Sequence, residues 1–198
     1  KSLSDNGIIT LIDNDVPQGG DAQSKSYSHA LMINKDILNY RWSLFVDMDE
    51  FLCIDRNKFT DIHDFISWQE NYMSDIIAVN WTFVKSSSKS KWEKQPIYER
   101  FTQVEINPNP HIKSIIKPRK FIGSRPHYPC NYIAYSPAFR EANKSLHTSY
   151  HTPIVGEKSF SDFPTNNIAT IYHYFDKSAE EFLWKFSRNR GDYPAVLQ

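Results

Sequence analysis

Three carboxylates stand within four residues, Asp47, Asp49 and Glu50, between the apolar runs Leu44-Phe45-Val46 and Phe51-Leu52. Acids so close together repel one another and resist burial, although their neighbours call for a core. A divalent cation relieves that repulsion; acids left exposed at a strand end are the plainer alternative. Period-two geometry along an extended chain puts Asp47 and Asp49 on one side, where both can reach the same ion or ligand. A second Asp-x-Asp, Asp13-Asn14-Asp15, lies among Asn, Val and Pro, where aspartate is an ordinary turn residue.

The surrounding pattern alternates between strand and helix. Ile8–Ile12 reads as a short strand, and Asp21 as the cap of a helix to about Asn39 with Tyr27, Ala30, Leu31, Asn34, Ile37 and Leu38 at helical spacing. Ser43–Val46 is a compact strand, so the carboxylates sit at its carboxyl end, where open α/β sheets bind ligands. Thr60 or Asp61 caps a second helix with Ile62, Phe65, Ile66 and Met73 inward. Ile76–Phe83, Tyr98–Ile106 and Ile168–Tyr174 read as further strands. Lys85–Lys94 is polar and reads as a mobile loop, and Pro126–Pro164 as a long irregular segment of the kind that often binds. Ser178-Ala179-Glu180-Glu181 is a capping box for a last helix that turns Phe182, Leu183 and Phe186 inward and stops near Gly191. Strands alternating with helices predict an α/β sheet in a single domain, residues 1–198.

Twenty-three Lys and Arg balance 23 Asp and Glu, which argues against a nucleic-acid partner held through its phosphates. The zero conceals a segregation: nine acids against three bases from Asp36 to Asp75, and ten bases against three acids from Lys85 to Arg125. This is either two solvated faces or a cation site beside a surface for an anionic substrate. Six glycines give neither a dinucleotide fingerprint nor a phosphate loop. Cys53 and Cys130 read as thiols of a reducing compartment, and no apolar run is long enough to span a membrane. A cytoplasmic protein, free or peripheral to a membrane, is expected. The first residue, Lys1, suggests a piece of a longer chain.

All-oxygen ligands favour Mn²⁺ or Mg²⁺, ions that usually also coordinate substrate phosphates. Two chemistries use such a cluster. A haloacid-dehalogenase-type phosphohydrolase would use Asp47 as nucleophile, but Phe51 stands where that pattern has Thr or Val. Glycosyl transfer from a nucleotide sugar uses the ion to stabilise the leaving diphosphate. A non-catalytic glycan binder, stacking sugars on Trp81, Tyr128 and Tyr132, is a third reading.

Trp42-Ser43-Leu44-Phe45-Val46-Asp47-Met48-Asp49-Glu50-Phe51-Leu52 resembles the W-x-x-x-x-D-x-D-E-F-L signature of GT-A glycosyltransferases of family 92 and the related bacterial family-2-like group. Further resemblances follow in order: Gln23 with Tyr27 and His29; Asn80-Trp81-x-Phe83; Lys113–Pro118 with His127; and His173-Tyr174-Phe175-Asp176-Lys177-Ser178-x-x-Glu181-Phe182-x-x-Lys185. The family's opening strand and helix, with their D-N-x-S-x-D stretch, have no counterpart, and Val84–Ser87 replaces a glycine-bearing continuation. The resemblance therefore implies a GT-A-like mixed central sheet flanked by helices, lacking its N-terminal strand and helix. It implies transfer of a sugar from a nucleotide-diphosphate donor to a glycan or polysaccharide acceptor, as in polysaccharide biosynthesis. It assigns Asp49, His173 and Asp47 to the metal, Asp47 also to the ribose, and Gln23, Lys177, Lys185 and Arg188 to the donor. An inverting reaction needs a carboxylate base. Glu93, Glu99, Glu157 and Asp162 are the candidates, and no spacing selects among them.

Overall fold

A computed structural model of the chain describes residues 3–15, 22–33, 35–86, 88–133, 139–143, 159–161 and 163–187. Helix α1 (Ala22–Met32) and a 3-10 turn (Lys35–Asn39) precede strands β1 (Ser43–Leu44) and β2 (Glu50–Ile54). Helix α2 (Ile62–Glu70) leads to β3 (Ile76–Phe83), followed by the one-turn helix α3 (Ile97–Arg100) and β4 (Asn109–Ile116). Beyond a 3-10 turn at Pro118–Lys120 come β5 (Phe121–Ser124), β6 (Pro129–Tyr132), β7 (Phe139–Glu141), β8 (Ala169–His173) and helix α4 (Ala179–Ser187).

The central sheet runs β1-β4-β3-β8-β2, with β7 parallel to the start of β3 and β8 parallel to its end; β1–β4, β3–β4 and β2–β8 are antiparallel. The architecture is α/β with a mixed, curled sheet and flanking helices. Strand β3 is buried on both faces, which carry mostly apolar side chains together with the buried Asn80 and Thr82. Ile77, Val79 and Trp81 pack with Phe59 and Phe65 beside α2, whereas Ile76 and Ala78 pack with Leu31 of α1, Ile112 and Phe121. Strands β5 and β6 form a separate antiparallel pair. At the start of α2, the Asp61 carboxylate accepts the Asp64 backbone N–H at 2.9 Å, a side-chain N-cap.

Several expected elements differ. Ile8–Ile12 takes no strand and is exposed, its apolar residues having gained no sheet edge. Helix α1 ends at Met32, short of the expected Asn39, and the chain continues as the 3-10 turn Lys35–Asn39; Asp21 and Asn34 lie outside the described residues. Pro96 opens a helical turn at Ile97–Arg100, and of the expected strand Tyr98–Ile106 only Val104 bridges, to Val84. Met73 adopts a φ of 55° and is exposed rather than part of the α2 stripe. The Lys85–Lys94 segment is polar but anchored: the Ala179 and Glu180 N–H groups donate to the carbonyls of Lys89 and Ser90, both at 3.0 Å. Helix α4 starts at the expected box but leaves Leu183 68% exposed, and no residue of it is fully buried. Both cysteines are free thiols. Among the described residues, no helix is long and apolar enough to cross a membrane.

Candidate functional site

The acidic turn joins β1 to β2. Backbone pairing stops at Leu44, and the Glu50 N–H donates to the Asp47 carbonyl at 3.0 Å, closing a turn with Met48 fully exposed at its tip. Asp47 and Asp49 therefore do not share one side of a strand, and the turn sends them to different partners.

Asp47 is held by three donors. Its Oδ1 accepts Gln23 Nε2 at 2.5 Å and the Tyr27 hydroxyl at 3.3 Å; its Oδ2 accepts Lys113 Nζ at 3.2 Å. Burial, reinforced by the Asp47 charge, pushes the Tyr27 hydroxyl above its ordinary range, so it remains a donor. Lys113 is completely buried and also lies 3.1 Å from Glu50. Glu50 in turn accepts the Asp47 N–H at 2.8 Å, but its Oε1 is buried without a partner. Burial pushes the Glu50 carboxyl up to about 7, outweighing the attraction of Lys113.

Asp49 is buried and stands across from β8. The register pairs Glu50 with His173, and the Tyr174 N–H donates to the Asp49 carbonyl at 3.0 Å. This pairing brings together residues more than 120 positions apart. Asp49 Oδ2 accepts Lys177 Nζ at 3.0 Å and Lys185 Nζ at 3.3 Å, while Oδ1 lies 3.9 Å from His173 Nε2. Burial raises the Asp49 pKa, but the Lys177 hydrogen bond, both ammonium charges and His173 together hold it below the ordinary value, so the carboxylate is ionised. Burial lowers His173 to about 4, and its imidazole is neutral near pH 7. The ring sits against Trp81 with centroids 4.4 Å apart, and its Nδ1 is buried without a partner. Lys177 has a φ of 53°, a left-handed backbone costing a non-glycine residue roughly 1–2 kcal/mol. Lys185 reaches the same oxygen from α4, lying 4.6 Å from the centre of the Phe175 ring.

The start of α4 is fixed firmly. Ser178 Oγ donates to Glu181 Oε2 at 2.6 Å, and Glu181 forms a bidentate pair with Arg100 at 2.7 and 2.9 Å. This tie from α3 steadies both lysines flanking the box.

The expected site residues thus fall into two neighbouring groups, Asp49, His173, Lys177 and Lys185 in one and Asp47 with Gln23 in the other. Glu93 forms an exposed pair with Lys89 at 2.7 Å, and Glu99 is exposed on α3. Glu157, Asp162 and Arg188 lie outside the described residues. His127 is half-buried beside Trp81 and lowered to about 4 by burial; its Nδ1 lies 2.8 Å from the Ile112 carbonyl. Trp81, considered as a sugar platform, is instead buried among the rings of His111, His127 and His173. The role of Lys113 was missed. Its signal was present: a lone lysine within the apolar run Ile112–Ile116 needs a carboxylate.

Among the described residues, no three or more His, Cys, Asp and Glu side chains form a group that could hold a metal ion. Asp49 Oδ1 and His173 Nε2, 3.9 Å apart, are the two side-chain atoms that could contribute to a divalent ion, whose remaining ligands would have to come from a bound phosphate. A scan against models of protein families gives no match, and neither does a search of curated proteins.

Proposed function

We propose that this chain is a GT-A-type glycosyltransferase that moves a sugar from a nucleotide-diphosphate donor to a glycan acceptor. The observation that carries the reading is the meeting of the Asp47–Asp49 turn with His173, Lys177 and Lys185, arranged by the pairing of β2 with β8. An ion held by Asp49 and His173, Mn²⁺ or Mg²⁺, would supply charge neutralisation for the departing diphosphate. Lys177 and Lys185 add positive charge where the leaving group develops its negative charge. Asp47, fixed by Gln23, Tyr27 and Lys113, presents an oriented carboxylate to the hydroxyls of the donor ribose. The free thiols of Cys53 and Cys130 are in keeping with a reducing cytoplasm.

The same contacts weigh against the phosphohydrolase reading, because three donors draw charge from the Asp47 carboxylate and blunt it as a nucleophile. The test is to offer UDP-, GDP- and dTDP-sugars with Mn²⁺ and a panel of oligosaccharides, and to measure the nucleoside diphosphate released. At least one donor is cleaved by the wild-type chain, and Asp49→Asn lowers the rate at least 100-fold. Failure of every donor, or full activity in Asp49→Asn, would refute the proposal.

A further inference from the structure

We propose that Lys177 and Lys185 form a latch on the cation site, each serving as a resident counter-ion of Asp49 that a divalent ion must displace. The inference rests on the reading of Asp49 and His173 as ion ligands. Both ammonium groups contact one carboxylate oxygen, Oδ2, at 3.0 and 3.3 Å, whereas His173 faces the other. An ion bound to Asp49 in that arrangement would stand beside two positive charges, so entry of the ion and retention of the lysines oppose each other.

The geometry is a built one. Lys177 reaches Asp49 from a left-handed backbone, and Lys185 reaches it from two turns along α4, with the helix start fixed by the Arg100–Glu181 pair. His173 supplies an independent sign of a ligand site: it is 5% exposed, and its Nε2 faces Asp49 Oδ1 at 3.9 Å, beyond hydrogen-bond distance. The lysine side chains are 21% and 34% exposed, which leaves them room to swing away on their flexible stems. Once released, the two ammonium groups can pair with the phosphates of an anionic ligand. The latch therefore holds affinity for the bare ion low and favours an ion arriving with its phosphate ligand.

The experiment measures binding of Mn²⁺ alone to the full chain, read from the electron paramagnetic resonance signal of free Mn²⁺. The variants are Lys177→Gly, which suits the left-handed backbone, Lys185→Gln on the helix surface, and their combination. Each single substitution tightens binding several-fold, and the double substitution at least 10-fold. Adding Asp49→Asn to the double variant abolishes the gain. Lysine→methionine versions at both positions give the same order and guard against a folding defect. Unchanged or weaker binding in the double variant, no binding in any form, or a gain that survives Asp49→Asn overturns the latch. The readout separates the two proposals. Tightened Mn²⁺ binding in a chain that cleaves no nucleotide sugar sustains the latch and refutes the transferase. Donor cleavage with unchanged Mn²⁺ affinity in the variants does the reverse.

Discussion

Replacing Glu181 by Gln should cost about 3 kcal/mol. The carboxylate receives two charge-assisted bonds from Arg100, at 2.7 and 2.9 Å, and the side chains are only 14% and 5% exposed. The Arg100 hydrogen bonds are the main cause holding Glu181 at about 2, down from 4.5, and such a difference is worth roughly 3 kcal/mol. Removing one partner of a buried ion pair costs about 3–5 kcal/mol, because the other charge is stranded. Glutamine keeps the shape and one acceptor oxygen of the glutamate, so the lower end applies. Urea unfolding of wild type, Arg100→Met, Glu181→Gln and the double variant gives the coupling energy, expected near 2 kcal/mol with unchanged denaturant dependence. A loss below 0.5 kcal/mol on the order of an exposed pair, or zero coupling, would refute the claim that this pair anchors α4. Because the folded pKa is depressed, the contribution is complete above about pH 4.5 and disappears as pH falls toward 2.

Other consequences are open to measurement. His173 and His127 both sit at about 4, below the ordinary 6.5, so the unfolded chain takes up protons first and stability falls as pH drops from 6.5 to 4. Glu50, raised to about 7, acts in the opposite sense, losing stability as pH rises from 4.5 to 7. Melting temperatures from pH 7 to 4 should therefore fall less steeply in His173→Gln and more steeply in Glu50→Gln than in wild type. Lys113→Met strands a buried Glu50 and loosens Asp47, costing about 3 kcal/mol in chemical unfolding. Phe65→Ala, at a fully buried position against Phe59 and Trp68, costs about 3–5 kcal/mol in the same assay. Asp61→Ala removes the α2 cap and costs about 1 kcal/mol.

Features encoded over a few residues were legible in the sequence. The β-branched and aromatic stretch Ile76–Phe83 reads as a strand despite Asn80 and Thr82, and it is β3. Ser178 and Glu181 form their box because both partners lie within one helical turn, and Asp61 caps α2 for the same reason. The reading lost accuracy where tertiary partners decide. Ser43–Val46 has strand composition throughout, but β4 pairs only with Ser43 and Leu44, and the rest becomes the turn that parts Asp47 from Asp49. Tyr98–Ile106 alternates like a strand, yet Pro96 opens a helical turn and Arg100 is engaged by Glu181 from 81 residues away. The apolar residues of α4 promised burial, but only distant contacts could have shown how far Leu183 and Trp184 remain exposed. Within the site, the family resemblance drew attention to Asp49, His173, Lys177 and Lys185. It did not foretell that the lysines would bond to the acid itself, because spacing along a chain carries no information about which oxygen a side chain reaches.

The most direct test of a donor-phosphate site at Asp49 is a titration of the ¹⁵N-histidine-labelled chain with nucleotide sugars and Mg²⁺, following the imidazole signals by nuclear magnetic resonance. One donor should shift the His173 ring nitrogens, and Asp49→Asn should abolish the shift. A donor that binds while His173 stays unmoved, or the same shift in Asp49→Asn, would contradict such a site.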